Sequence, residues 1–185
     1  AVGTGEGGAE VGVEDGRPPD ILLGKAAKTC TCVNGGSAGA DNGPTHIKAP
    51  ARHIGVDLSI DDWQTFGHQI PLLVNMQPAG FYLGEEYHRA GGVPAVVREL
   101  MQAKRIHEDA MTVNGHTMGE NCRDAPKADG DVIWTYDKPL VKDAGFLVLR
   151  GNLFDSAIMK TSVISKEFRD RYLSNPKDPE AFEGR

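Results

Sequence analysis

Cysteine and aromatic residues are scarce in this chain, and basic blocks and long apolar runs are missing from it. The 185 residues include 3 cysteines, Cys30, Cys32 and Cys122. An odd number without framework spacing excludes a disulfide-stapled scaffold and points to a reducing compartment, so a cytoplasmic setting is expected. Cys30-Thr31-Cys32 is one residue short of the hook common in zinc and redox sites, and no second Cys or His pair follows at ligand distance. The cysteines therefore read as structural thiols, small buried hydrophobes. The 6 histidines contain no His-x-x-x-His pair, which argues against a zinc hydrolase. Lys and Arg number 20 against 26 Asp and Glu, a net charge of −6 with no basic run, so neither nucleic acid nor a membrane surface is an expected partner. No apolar stretch reaches the length of a membrane span, and no basic-then-apolar leader opens the chain. At 185 residues the chain is long enough for one ordinary domain with a sizeable core, or for parts of two, and hydrophobic content of 39% suits a soluble protein.

What is present begins with a Gly-rich, loose lead-in over residues 1–14. Asp15 to Asp20 is a turn into a helix near Ile21 to Ala27, with Asp20 as N-cap. Thr29 to Val33 reads as a short buried strand, followed by a Gly-rich loop from Asn34 to Gly43. That layout can cradle an anion on backbone N–H groups, although it fits neither the P-loop nor the dinucleotide template. Pro50 is expected to interrupt the helix that follows. Ser59 caps a helix whose first turn holds Asp61 and Asp62 and which runs to about His68. Ile70 to Met76 is an apolar run consistent with a strand covered on both faces, and flanking helices suggest a parallel sheet. Gln77 to Gly80 sits at its C-terminal end, where open α/β sheets place ligands. Glu85 and Glu86 read as a solvated helix end.

Gly91-Gly92 turns the chain into a helix expected to start at Pro94, with Val93, Val96, Val97, Leu100 and Met101 on one face. Its open N-terminus is a possible anion seat. Met111 to Val113 is extended and Asn114-Gly115 is a turn. Asp124 to Asp131 has the composition of a boundary. Beyond it Trp134, Tyr136, Phe146 to Leu149 and Ile158 to Ile164 look β-rich, with a short helix from Lys166 to Leu173.

Three blocks in order, His88 to Leu100, Met111 to Asn121 and Gly145 to Leu153, resemble the dihydroxy-acid and sugar-acid dehydratase family. Asp155 to Val163 resembles its arabinonate and xylonate branch in particular, Thr117 to Asn121 resembles the family's short helix, and the resemblance is strong over about residues 49–185. It implies an α/β fold: residues 1–125 the end of a first domain with a parallel sheet and flanking helices, residues 126–185 the start of a β-rich, barrel-like second domain. The family's Gly-Gly-Ser-Thr-Asn-Ala loop falls on Ala38 to Gly43. It keeps Gly39 and Asn42, has Ala40 and Asp41 at its Ser and Thr, and is followed by His46. Gly39, Asn42 and His46 are thus the implied substrate neighbours.

For the intact enzyme the resemblance implies a hydro-lyase that dehydrates a sugar acid to the 2-keto-3-deoxy acid with a [2Fe-2S] cluster and Mg, usually as a homo-oligomer. The family's cluster signature, its Mg ligands and its catalytic serine have no counterpart here, so the chain looks like an internal portion and no residue of it is assigned to catalysis or to a metal. Two alternatives stand beside this: a dihydroxy-acid dehydratase of branched-chain amino-acid synthesis, and a non-catalytic anion-binding module or structural fragment.

Overall fold

The computed structural model describes residues 24–37, 42–53, 55–153, 155–168 and 170. In order these form helices α1 (Gly24–Gly36), α2 (Gly43–His53), α3 (Ile60–Gly67), α4 (Gly84–Arg89), α5 (Gly92–Gln102) and α6 (Met118–Cys122). Strands β1 (Phe146–Leu149) and β2 (Ala157–Lys160), a 3-10 turn (Thr161–Val163) and a helical turn α7 (Lys166–Phe168) complete them. The architecture is α/β.

The core gathers around α5. Its apolar positions recur at helical spacing, and Ala95, Val96, Val97 and Leu100 are fully buried. They meet Ile70, Leu73 and Val74 from the apolar run, Cys32 of α1, Met118 and Cys122 of α6, and Val132 and Ile133 from beyond the Asp124 to Asp131 loop. Glu99 of the same helix is also buried and accepts a hydrogen bond from the Tyr136 amide. The Ile70 to Met76 run is covered as expected, but it makes single bridges instead of a strand: Leu72 to Val141 and Val74 to Ile133 antiparallel, Met76 to Tyr82 parallel. The one sheet among the described residues is two-stranded and antiparallel, with Phe146 opposite Lys160 and Leu149 opposite Ala157.

Several local expectations are corrected. Thr29 to Val33 is not a strand but the middle of α1, which also runs past Ala27 to Gly36. Thr29, Thr31 and Cys32 bury the face of α1 that packs on α3 and α5, and a short apolar run reads as strand or helix alike. The start expected at Ile21 and its cap Asp20 lie outside the described residues. The predicted Gly-rich loop is shortened at both ends, since Asn34 to Gly36 close α1 and Gly43 opens α2. Pro50 does not interrupt α2, which contains it and ends at His53. So late in the helix, its missing N–H forfeits one bond within the last turn. Helix α5 starts at Gly92, two residues before Pro94, with Gly91 as cap at φ 109 and Gly92 at φ 58. Only residues without a Cβ take such angles cheaply, and a Cβ on Gly91 would stand 2.9 Å from that of Ala95. Finally, Ile158 to Ile164 is extended only to Lys160 and then turns as a 3-10 helix.

Other expectations hold. Ser59 caps α3 through a reciprocal pair with Asp62, and Thr117 caps α6 with Glu120 in the same way. Thr112 and Gly115 close the expected turn, where Gly115 takes φ 78.

Candidate functional site

The stem of the loop that carries the substrate candidates is held from three sides. The Gly36 carbonyl accepts from the amides of Leu73 at 3.0 Å and Val74 at 3.3 Å, which fastens the end of α1 to the apolar run. The Asn34 carbonyl accepts from the Lys160 ammonium at 3.1 Å, which fastens it to β2. The Asn34 side chain also fills the space a Cβ on Gly43 would occupy, 2.1 Å from Nδ2, so a larger residue there would have to displace the Asn34 amide. Of the three sequence candidates, Gly39 lies outside the described residues. Asn42 and His46 are brought together at the start of α2, where the Asn42 carbonyl accepts from the amides of Thr45 and His46, and both residues are exposed.

Beside them lies a cleft of about 780 Å³ that the sequence reading missed. Thr45, Lys48, Ala49 and Arg52 of α2 form one wall, and Gly55 to Ile60 with Ile158 of β2 line the remainder. Neither Asn42 nor His46 lines it. The signal that could have found it is the pair Lys48 and Arg52, four residues apart and therefore neighbours on one face of a helix.

Two further hydroxyls stand out, one just past the end of α1 and one on α4. Ser37 Oγ and Tyr87 OH are buried without a close hydrogen-bond partner. Burial pushes the Tyr87 phenol up, while the neighbouring Ser37 hydroxyl pulls the other way. Glu85 and Glu86 have structural work instead of acid–base work: Glu85 pairs with Arg89 at 2.5 Å, and Glu86 accepts from the Leu83 amide at 3.1 Å. The turn after Met76 is tied down by Asn75, whose side-chain oxygen accepts from the Phe81 amide at 2.9 Å, and by Tyr82, whose hydroxyl donates to Asp131 at 2.8 Å. That hydrogen bond, joined by the charge of Asp131, holds the Tyr82 phenol above its usual range.

The cysteines do not fit an iron–sulfur cluster. Among the described residues no three cysteines come together as a ligand group, and burial pushes the thiols of Cys30 and Cys32 up to about 11 and raises that of Cys122. Cys32 donates a weak hydrogen bond to the Phe66 carbonyl at 3.5 Å and packs in the core. Among the described residues no group of three His, Cys, Asp or Glu side chains is placed to hold a metal, magnesium included. No helix among them is long and apolar enough to cross a membrane.

These residues define an α/β unit with a cationic cleft and with neither cluster ligands nor a metal-binding group among its described residues. The chain belongs to the dihydroxy-acid/6-phosphogluconate dehydratase family, whose N-terminal region matches residues 4–121. It is 50% identical over 182 residues to the D-xylonate dehydratase of Caulobacter vibrioides, covering 98% of this chain and 30% of that protein. It is 38% identical over 153 residues to the L-arabinonate dehydratase of Rhizobium leguminosarum, covering 82% of this chain and 26% of that one. With the dihydroxy-acid dehydratase of Ignicoccus hospitalis it shares 36% over 157 residues, 84% of this chain and 28% of the relative. The chain thus spans less than a third of the length of each of these relatives.

Proposed function

We propose that the protein carrying this chain is a hydro-lyase that removes water between C2 and C3 of a sugar acid to give the 2-keto-3-deoxy acid. The observation that carries this reading is the gap between 50% identity to a D-xylonate dehydratase and 36% to a dihydroxy-acid dehydratase. Gly39, Asn42 and His46 stand near the substrate in this reading. The [2Fe-2S] cluster and Mg of the reaction are held by parts of the longer protein other than the residues described here. Ile70 to Met76, buried yet bridged only singly, takes its place as a strand of the intact domain's parallel sheet. The β-rich chain of residues 126–185 leads into a barrel-like second domain. A cytoplasmic homo-oligomer that turns over a small sugar acid completes the proposal.

The test uses the full-length enzyme, purified without oxygen and given D-xylonate, L-arabinonate or 2,3-dihydroxy-3-methylbutanoate separately, with 2-keto acid formation as readout. A kcat/KM at least about tenfold higher for a sugar acid is expected, since a site built to hydrogen-bond hydroxyls rejects a substrate lacking them. A preference for the dihydroxy acid would move the reading to the amino-acid branch. Binding of a sugar acid without turnover would leave a non-catalytic module.

A further inference from the structure

The α2 cleft combines charge with an apolar floor. Thr45 is followed by Lys48 and Ala49 three and four residues on, and these by Arg52 four and three residues on, so one stripe of α2 faces the opening. Opposite it stand Val56, Leu58, Ile60 and Ile158. Leu58 is buried against Ala51, with Ile47 and Val56 packed beside them, which makes the floor a small core of its own. Neither Lys48 nor Arg52 has a side-chain hydrogen bond or ion pair among the described residues, whereas Arg89 is matched by Glu85 and Arg150 by Asp61. Asp57 is the one carboxylate of the lining, so the cleft keeps an excess of positive charge. The Ser59 hydroxyl is already used, donating to Asp62 at 2.9 Å and accepting from its amide at 3.3 Å.

We propose that this cleft binds a small aliphatic monocarboxylate, with the carboxylate on Lys48 and Arg52 and the hydrocarbon on Val56, Leu58 and Ile158. Two cations one helical turn apart bracket a carboxylate, and the guanidinium fork matches its two oxygens. Phosphate meets the charge but not the floor, and an alcohol of the same shape meets the floor but not the charge. Because Ile158 belongs to β2, the ligand bridges two elements far apart in the chain and stabilises their contact. The inference stands on the cleft alone, whichever acid the enzyme turns over.

The test is thermal unfolding of the full-length protein with isobutyrate, isobutanol or inorganic phosphate at fixed ionic strength. Isobutyrate at roughly ten times its Kd should raise Tm by about 1–2 °C, the other two by less than half of that. Lys48→Gln with Arg52→Gln should abolish the rise and leave the starting Tm unchanged. Methyl NMR gives a second measurement, with shifts expected at Leu58 and Ile158 on adding isobutyrate. No rise, an equal rise in the double variant or with phosphate, or methyl shifts confined to other parts of the protein would overturn the proposal.

Discussion

Lys160 is the charged side chain most expensive to place where it is. It is 2% exposed, donates to the Asn34 carbonyl, and holds its ammonium 5.7 Å from the centre of the Phe146 ring. Asn34 lies in the last turn of α1, where unpaired carbonyls and the helix dipole favour a cation. Lys160→Met keeps the volume and removes the charge-assisted hydrogen bond to the Asn34 carbonyl, so it should destabilise the chain by about 1–3 kcal/mol in urea unfolding. Nothing local in Ala157 to Lys160 announces this burial, because the partner is 126 positions away. The cysteines were more legible, since a small apolar residue without a ligand-spaced neighbour has little to do except pack. Their thiols supply a pH prediction. Unfolded thiols ionise at their ordinary value of 9.0, while those of Cys30 and Cys32 stay protonated to about 11. Between these values the unfolded state binds fewer protons, so stability should fall as pH rises, by about 1 kcal/mol per pH unit for each thiol, and level off above the folded value. Urea midpoints from pH 7 to 11 measure the slope, and native-state alkylation at pH 8 should be much slower than alkylation in denaturant.

At the scale of elements, legibility followed the locality of the cause. Ser59 with Asp62 and Thr117 with Glu120 are three residues apart, and both capping boxes formed where the sequence placed the helix starts. Ser59→Ala and Thr117→Ala should each cost about 1 kcal/mol, with m unchanged in urea titrations. Bonds from Thr117 hold the Glu120 carboxyl below its ordinary range. A depressed carboxylate contributes above its unfolded pKa and stops contributing as pH falls through the folded one, so the Thr117→Ala effect should shrink in acid. The misread elements depend on distant partners. Thr29 to Val33 could be strand or helix until α3 and α5 arrive to cover Thr29, Thr31 and Cys32. The apolar run at Ile70 meets the composition of a strand, yet its partners Ile133 and Val141 offer one bridge each. The α2 cleft escaped notice for the same reason, because its floor brings Ile158 beside Leu58, and no local pattern encodes that meeting.

For the whole molecule, the loop from Asp124 to Asp131 marks a change of composition, while the packing runs across it. Trp63 of α3 and Phe146 of β1 are both fully buried and meet edge to face, ring centroids 5.2 Å apart. Val148 donates its amide to the Gln64 side chain at 3.0 Å, Ala144 donates to the Ile70 carbonyl at 3.0 Å, and Trp134 to that of Leu73 at 2.7 Å. Val132 and Ile133 also sit in the main core beside Leu73 and Val74. Residues 1–125 expressed alone would therefore expose Trp63 and the Ile70 to Val74 run, and would leave the Ile70 and Leu73 carbonyls to water. Loss of one large buried aromatic contact costs about 3–5 kcal/mol, a large share of the stability of an ordinary domain. The shortened chain should show no cooperative urea transition and should bind a dye for apolar surface, while residues 1–185 unfold cooperatively. A cooperative transition in residues 1–125 would instead put a true domain boundary at that loop and make β1 and β2 a separate unit leaning on it. The Phe146→Ala variant of the longer chain separates the two outcomes without truncation: it should lower the urea midpoint sharply if the packing is one unit, and leave the transition of the first 125 residues in place if it is not.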